Sequence, residues 1–248
     1  MKTTRLTTFL PPLIAMLPMT MLHAAIDISA PPVVDGFTAV PPVANWSTLS
    51  VGTATDAAIT NAAGFDAKII AAADAMAITT VLGSSASNPP TTSTVARFNS
   101  TNTFLQTRPS GNDYILLLAT AVNATGGDLN AVKIAYSYSK DTVTASETVK
   151  GLRAFWSTTG APGSWTSISK LSADTTGTTA SPEALVANII LPAPLANGAN
   201  FYVLWADQNS SGTDASYHID NFAISPGVNC TIDASASNIV RLLGASAT

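Results

Sequence analysis

The chain has 248 residues, of which 10% are charged and 46% are hydrophobic, and its formal net charge at pH 7 is −4. The hydrophobic fraction excludes an intrinsically disordered chain, and the acidic balance disfavours nucleic-acid binding, which needs a basic patch. The sequence contains a single cysteine, Cys230, so no internal disulfide can form and a large apolar core must supply the stability.

The first 24 residues have the pattern of a secretory signal peptide. Lys2 and Arg5 form a short basic region, residues 6–22 are apolar but interrupted by prolines, and small residues end the stretch at Ala24. The apolar part is too short and too broken for a membrane span. We therefore expect an exported chain without a membrane span, located in the periplasm or outside the cell.

The rest of the chain divides into a lead-in, a domain and a tail. Residues 25–45 are rich in proline and predict an extended lead-in. Residues 46–226 are predicted to form one β domain, and residues 227–248 form a C-terminal tail. Within 54–80, apolar residues at helical spacing allow one short helix, and an irregular Ala-rich strand is the alternative.

From Val95 onward, short apolar runs alternate with polar, glycine-containing turns. Regular short strands at this spacing are typical of an antiparallel β-sandwich or jelly roll. The sequence therefore predicts an all-β fold. After a first strand at Trp46–Val51, the predicted strands cover residues 95–98, 114–122, 131–139, 150–158, 164–171, 185–191, 201–206 and 217–225.

Residues suited to catalysis are scarce. His218 is the only histidine after the predicted signal peptide, and it lies in an alternating strand beside Asp220. We interpret it as a structural residue, because no partner nucleophile is visible for a Ser-His-Asp triad. The histidine and cysteine count excludes a zinc site built from several such residues. The aspartates leave a carboxylate-pair glycosidase open, although most of them sit in turn-like sequence.

Three aromatic residues are candidates for ligand binding. Tyr138 and Trp156 lie in alternating strands. Trp165 lies in a Gly/Ser-rich turn and is the best candidate for an exposed ring, although a tryptophan that anchors a loop is the more common case. Aromatic side chains that share one face of a strand usually pack in a core. The functional alternative is a platform on which sugar rings stack, formed by Trp165, Trp156 and Tyr138.

An oxygen-rich loop joins the last two long strands. The alternating oxygens and glycine of Asp207-x-Asn209-x-Ser211-Gly212 resemble a calcium loop, but His218 stands where an EF-hand has its bidentate glutamate. We predict a structural calcium held by Asp207, Asn209, Asp214 and Asp220, with Asp207 and Asp220 close in space. The alternative is a loop of Asx turns that satisfies its own backbone.

Residues 98–127, 152–168 and 195–225 together resemble a family of jelly-roll domains from exported and surface proteins of bacteria. The ending Ile219-Asp220-Asn221-Phe222 is also similar to the last strand of jelly-roll carbohydrate-binding modules. In those modules an aspartate of this kind helps to hold a structural calcium. The resemblance implies a sandwich fold and, at Asp220, a role in calcium binding.

Three functions from different classes fit these observations. The first is a non-catalytic extracellular module that binds a polysaccharide or adheres to cell-surface or matrix components. The second is a purely structural exported surface protein, and the third is an aspartate-dependent glycan hydrolase or lyase. The scarcity of Glu, His, Lys and Arg counts against the third, because acid–base catalysis needs a supported pair. We expect the first.

Overall fold

The computed structural model describes residues 25–52, 59–111, 113–143, 146–173, 182–209 and 214–229. The predicted signal peptide, Cys230 and most of the tail lie outside these ranges. No helix within them is both long and apolar enough to cross a bilayer.

The described residues form thirteen strands, one α-helix and one 3-10 turn at Ser169–Leu171. The helix α1 is Ala62–Ala72. In chain order the strands are β1 Ile26–Ile28, β2 Val34–Asp35, β3 Trp46–Val51, β4 Gly83–Ser85, β5 Arg97–Asn99, β6 Phe104–Thr107, β7 Tyr114–Asn123, β8 Leu129–Lys140, β9 Arg153–Ser157, β10 Thr166–Ser167, β11 Glu183–Leu195, β12 Asn200–Gln208 and β13 Tyr217–Pro226.

The strands form two sheets. Sheet A has the order β1–β7–β12–β9–β10, with β3 also paired to β7, and sheet B has the order β11–β8–β13–β6–β5–β4, with β2 paired to β13. The predicted all-β sandwich is confirmed. Most strand pairs are antiparallel, but each sheet is mixed, because β1 runs parallel to β7 and β4 runs parallel to β5.

The main core lies between the two sheets. Strand alternation turns Phe201, Val203 and Trp205 of β12 towards sheet B, where all three are buried. Trp205 stacks on Trp46 with ring centroids 5.6 Å apart, and the edge of Phe222 from sheet B meets both indoles. These aromatic contacts join segments that are far apart in sequence, and they hold the two sheets together.

A second core covers the outer face of sheet A. Phe65 and Ile69 of α1 are buried there against β7 and β12. The helix begins at the cap Asn61, whose side chain accepts a hydrogen bond of 2.8 Å from the amide of Gly64. A helix this short depends on such packing for its stability. Its position confirms the predicted short helix within 54–80.

The region predicted as a lead-in belongs to the sandwich. β1 adds to sheet A and β2 adds to sheet B. Phe37 is 1% exposed and packs edge-on against Trp46 at 5.2 Å. We expected the sandwich to start at Trp46, but it begins earlier. The proline-rich segment is extended and therefore able to pair with both sheets.

Candidate functional site

Trp165 does not present an exposed ring. Its side chain is 3% exposed, and its indole Nε1 donates a 2.7 Å hydrogen bond to the carbonyl oxygen of Ala73. Ala73 is the C-terminal cap of α1. The turn that carries Trp165 therefore lies under the helix layer, and the indole anchors the helix end, which is the alternative to an exposed ring.

The other two aromatic candidates also pack against protein. Tyr138 is fully buried between the sheets and stacks on Tyr217, with ring centroids 6.3 Å apart. Trp156 is half-buried and stacks on Phe201 at 5.7 Å. Trp165 belongs to the second core, whereas Tyr138 and Trp156 pack in or against the main core, so the structure does not bring the three rings together as a platform.

A cleft of about 350 Å³ opens on the outer face of sheet A, beside the loop that follows α1. We call it the outer cleft. Strands β3, β7 and β12 supply its floor, and residues 43–44 and 75–79 supply its rim. None of its lining side chains is charged. The lining residues are Val43, Ala44, Ser47, Ala75, Met76, Ile78, Thr79, Leu118, Thr120, Asn200 and Tyr202.

Hydrogen bonds hold the floor and the rim of the outer cleft in place. The side chain of Asn200 donates to the hydroxyl of Tyr202 at 3.1 Å, and the hydroxyl of Ser47 donates to the carbonyl of Ile78 at 2.7 Å. Met76 on the rim is 76% exposed. The cleft therefore combines a floor of positioned neutral polar groups with a flexible apolar rim.

A second notable site is a set of buried carboxylates where β12 ends and β13 begins. We call Asp141, Glu147, Asp207 and Asp214 the acidic cluster. Their exposed fractions are 3%, 2%, 0% and 3%, respectively. Asp207 follows the inward-facing Trp205 by two residues in β12, so its side chain lies between the sheets.

The carboxylates of the cluster differ in their hydrogen bonds. Glu147 accepts a short hydrogen bond from the hydroxyl of Tyr217, and Asp141 accepts one of 2.9 Å from the amide of Val143. Both oxygens of Asp207 and both oxygens of Asp214 have no hydrogen-bond partner among the described residues. Such burial is unfavourable for a charged group.

Burial raises the pKa of Asp207 well above its ordinary value and the charge of Glu147 acts in the same direction, whereas the nearby side chain of Thr107 lowers it. Burial also raises the pKa of Asp214 to about 10, with the charges of Asp207 and Glu147 adding to the shift. The pKa of Glu147 is raised for the same first reason. The site disfavours several negative charges at once.

Asp220 is not part of this arrangement. It lies on β13, one residue beyond the inward-facing Ile219, so its side chain points away from the interior that holds Asp207. Its carboxylate accepts hydrogen bonds from the amide and side chain of Asn221. The structure therefore brings Asp207 and Asp214 close to each other and leaves Asp220 apart.

Sequence reasoning did not find Glu147 or Asp141. Both come from the connection that follows β8, which reaches the end of β12 only through the packing of the two sheets, and no local spacing marks them. In the parts of the chain that the structure describes, no three His, Cys, Asp or Glu side chains are arranged to hold a metal ion. Calcium therefore stays a prediction.

His218 is buried on the outer side of sheet B. Its Nδ1 lies 3.0 Å from the hydroxyl of Ser139, and its ring stacks on Phe104. Burial lowers the pKa of His218 to about 3, and the charge of Lys140 acts in the same direction. A neutral imidazole packed in this way fits the structural interpretation, and the carboxylate of Asp220 is engaged by Asn221.

No protein-family model and no curated protein sequence matches this chain. Solved structures show distant similarity. A carbohydrate-binding module solved with β-1,4-galactotriose has 12% identity and a TM-score of 0.32, covering 50% of this chain and 71% of its own. The K3 cleaved adhesin domain of Lys-gingipain from Porphyromonas gingivalis has 12% identity and a TM-score of 0.37, covering 78% of this chain and 97% of its own.

The enzymatically active domain of a tailspike protein from bacteriophage CBA120 has 9% identity and a TM-score of 0.36. The match covers 78% of this chain and 21% of the tailspike chain.

Proposed function

We propose that this protein is an exported, non-catalytic module that binds a neutral glycan in the outer cleft. The observation that carries the proposal is the lining of that cleft, in which apolar and neutral hydrogen-bonding side chains meet without any charged group. A polysaccharide of a cell surface or extracellular matrix would present such a glycan to an exported protein.

The chemistry of a sugar ring matches this lining. Its C–H faces would pack on the apolar side chains of Met76, Ile78 and Leu118, and its hydroxyls would bond to Thr120 and Asn200. The cleft volume of about 350 Å³ lies within the roughly 300–1,000 Å³ of small-molecule sites. A uronic acid or sulfated sugar would find no cation among the lining residues, so we expect it to be excluded.

The test is a screen of neutral and acidic oligosaccharides, followed by calorimetric titration of the strongest neutral ligand. Asn200→Ala removes a polar group of the floor, and Met76→Ala removes an exposed part of the rim. Each should weaken binding by about 5- to 30-fold, the equivalent of about 1–2 kcal/mol. Val81→Ala is the matched control, because Val81 is also an exposed apolar residue, at 55%, but does not line the cleft.

The proposal is wrong if no neutral glycan binds, or if the ligands that bind are acidic. It is also wrong if a bound glycan responds to Val81→Ala as strongly as to Met76→Ala, because the ligand would then occupy another surface.

A further inference from the structure

The acidic cluster holds polar atoms that the protein does not satisfy. Asp207 is fully buried, Asp214 is 3% exposed and Asn209 is 6% exposed. Both oxygens of each carboxylate, and the Oδ1 of Asn209, have no hydrogen-bond partner among the described residues. Asp207 lies close enough to Asp214 for its charge to raise the pKa of Asp214. Buried polar atoms are normally paired, so two neighbouring unpaired carboxylates indicate a bound species that supplies the missing contacts.

The nearby cations do not supply those contacts. Arg108 donates to the backbone carbonyls of Asp214 and Pro90, at 3.1 and 2.8 Å. Lys140 donates to the backbone carbonyls of Asp141 and Val143, at 3.3 and 2.6 Å. These hydrogen bonds end on the main chain, so neither cation donates to the carboxylate oxygens, although the charge of Arg108 lowers the pKa of Asp214.

We propose that the acidic cluster binds a calcium ion, with Asp207 and Asp214 as carboxylate ligands and the Oδ1 of Asn209 as an amide ligand. All three donors are oxygens, which favours calcium over zinc or copper. Calcium takes about six to eight oxygens in a flexible geometry, so backbone carbonyls and water can complete the shell around two carboxylates. The site therefore needs no third acidic side chain.

This site differs from the one that the sequence predicted, because Asp220 points to the opposite side of sheet B. It also lies apart from the outer cleft and does not depend on glycan binding. Asp207 belongs to β12 of sheet A, and Asp214 directly precedes β13 of sheet B. An ion held by both would tie the two sheets together at this end of the sandwich.

The test is thermal unfolding of the purified chain in calcium chloride and in EDTA. An ion that binds only the folded state stabilises it, so saturating calcium should raise the Tm by about 5–10 °C. Asp207→Asn and Asp214→Asn should each abolish most of this rise. In EDTA both variants should be at least as stable as the wild type, because each removes a buried carboxyl group that must take up a proton on folding when no ion is bound, and keeps the side-chain shape.

Asp220→Asn is the matched control and should keep the full calcium response. Equal Tm values in calcium and EDTA would overturn the proposal, as would a full response in both cluster variants or a lost response in Asp220→Asn. An equal rise with magnesium at the same concentration would overturn the assignment to calcium. Lower stability of both cluster variants in EDTA would show that protein contacts already hold these carboxylates.

Discussion

The imidazole of His218 stacks on the ring of Phe104, with centroids 4.1 Å apart and an interplanar angle of 19°. The stacking leaves the histidine 2% exposed, and burial lowers its pKa to about 3. In an unfolded chain the pKa of histidine is about 6.5. Between these two values the unfolded state binds a proton that the folded state does not.

We therefore predict that His218 makes the protein less stable as the pH falls from about 6.5 towards 3. The contribution to the free energy of unfolding should decline by up to about 1.4 kcal/mol per pH unit. Denaturant unfolding of the wild type and His218→Gln over this range gives the test, because the difference between the two isolates the histidine. A difference that does not change with pH would contradict the prediction.

In the absence of metal ions, we predict that Asp214 changes the stability with pH in the opposite direction to His218. Its folded pKa is about 10, whereas an unfolded aspartate has a pKa of about 3.9. Between these values the folded state keeps a proton that the unfolded state has released, so stability falls as the pH rises. In EDTA, the free energy of unfolding should fall by up to about 1.4 kcal/mol per pH unit between pH 5 and 9. Asp214→Asn should remove this dependence on pH. The same slope in the variant would assign the effect to another group.

The long strands were predictable because their side-chain alternation is a local property. β3 was predicted with its observed ends, and β7, β8, β12 and β13 with ends within two residues of those observed. β1, β2, β4 and β6 were missed, because strands of two to four residues carry too little pattern. Partners distant in sequence decide whether such segments pair.

The candidate site was predictable only where it is continuous in sequence. Asp207 and Asp214 flank one short connection, and the structure keeps them close to each other. Glu147 enters from a separate connection, so no spacing could reveal it. The placement of Asp220 could have been corrected from the sequence, because the apolar Ile219 beside it already assigns it to the opposite face of β13.

A substitution at Trp165 tests whether this buried residue anchors the end of α1 or serves as a platform for a ligand. Trp165→Phe removes the hydrogen bond to Ala73 and leaves that carbonyl without its indole donor, which should cost about 1–3 kcal/mol in the free energy of unfolding. Trp156→Phe is the control, because the half-buried Trp156 mainly stacks on Phe201, and it should cost less. Unchanged stability with lost glycan binding in Trp165→Phe would favour the platform.

Gly160 supports the rim of the outer cleft, because its carbonyl accepts a 2.8 Å hydrogen bond from the amide of Ala75. Its φ is +71°, and an added Cβ would lie 2.4 Å from the Cβ of Ala75 and 3.2 Å from the ring of Tyr202. We predict that Gly160→Ala destabilises the fold by about 2–4 kcal/mol through backbone strain and the clash together, and also weakens glycan binding.

Gly163 provides the matched control for this change. Its φ is +79°, but an added Cβ would have no atom within 4 Å, so Gly163→Ala carries the backbone strain without the clash. It should cost about 1 kcal/mol and leave glycan binding unchanged. Denaturant unfolding and calorimetric titration of both variants measure the difference, which is the effect of the contact between Gly160 and Ala75. Equal losses in the two variants would mean that the loop around Gly160 can move away from Ala75, and that this contact does not hold the rim.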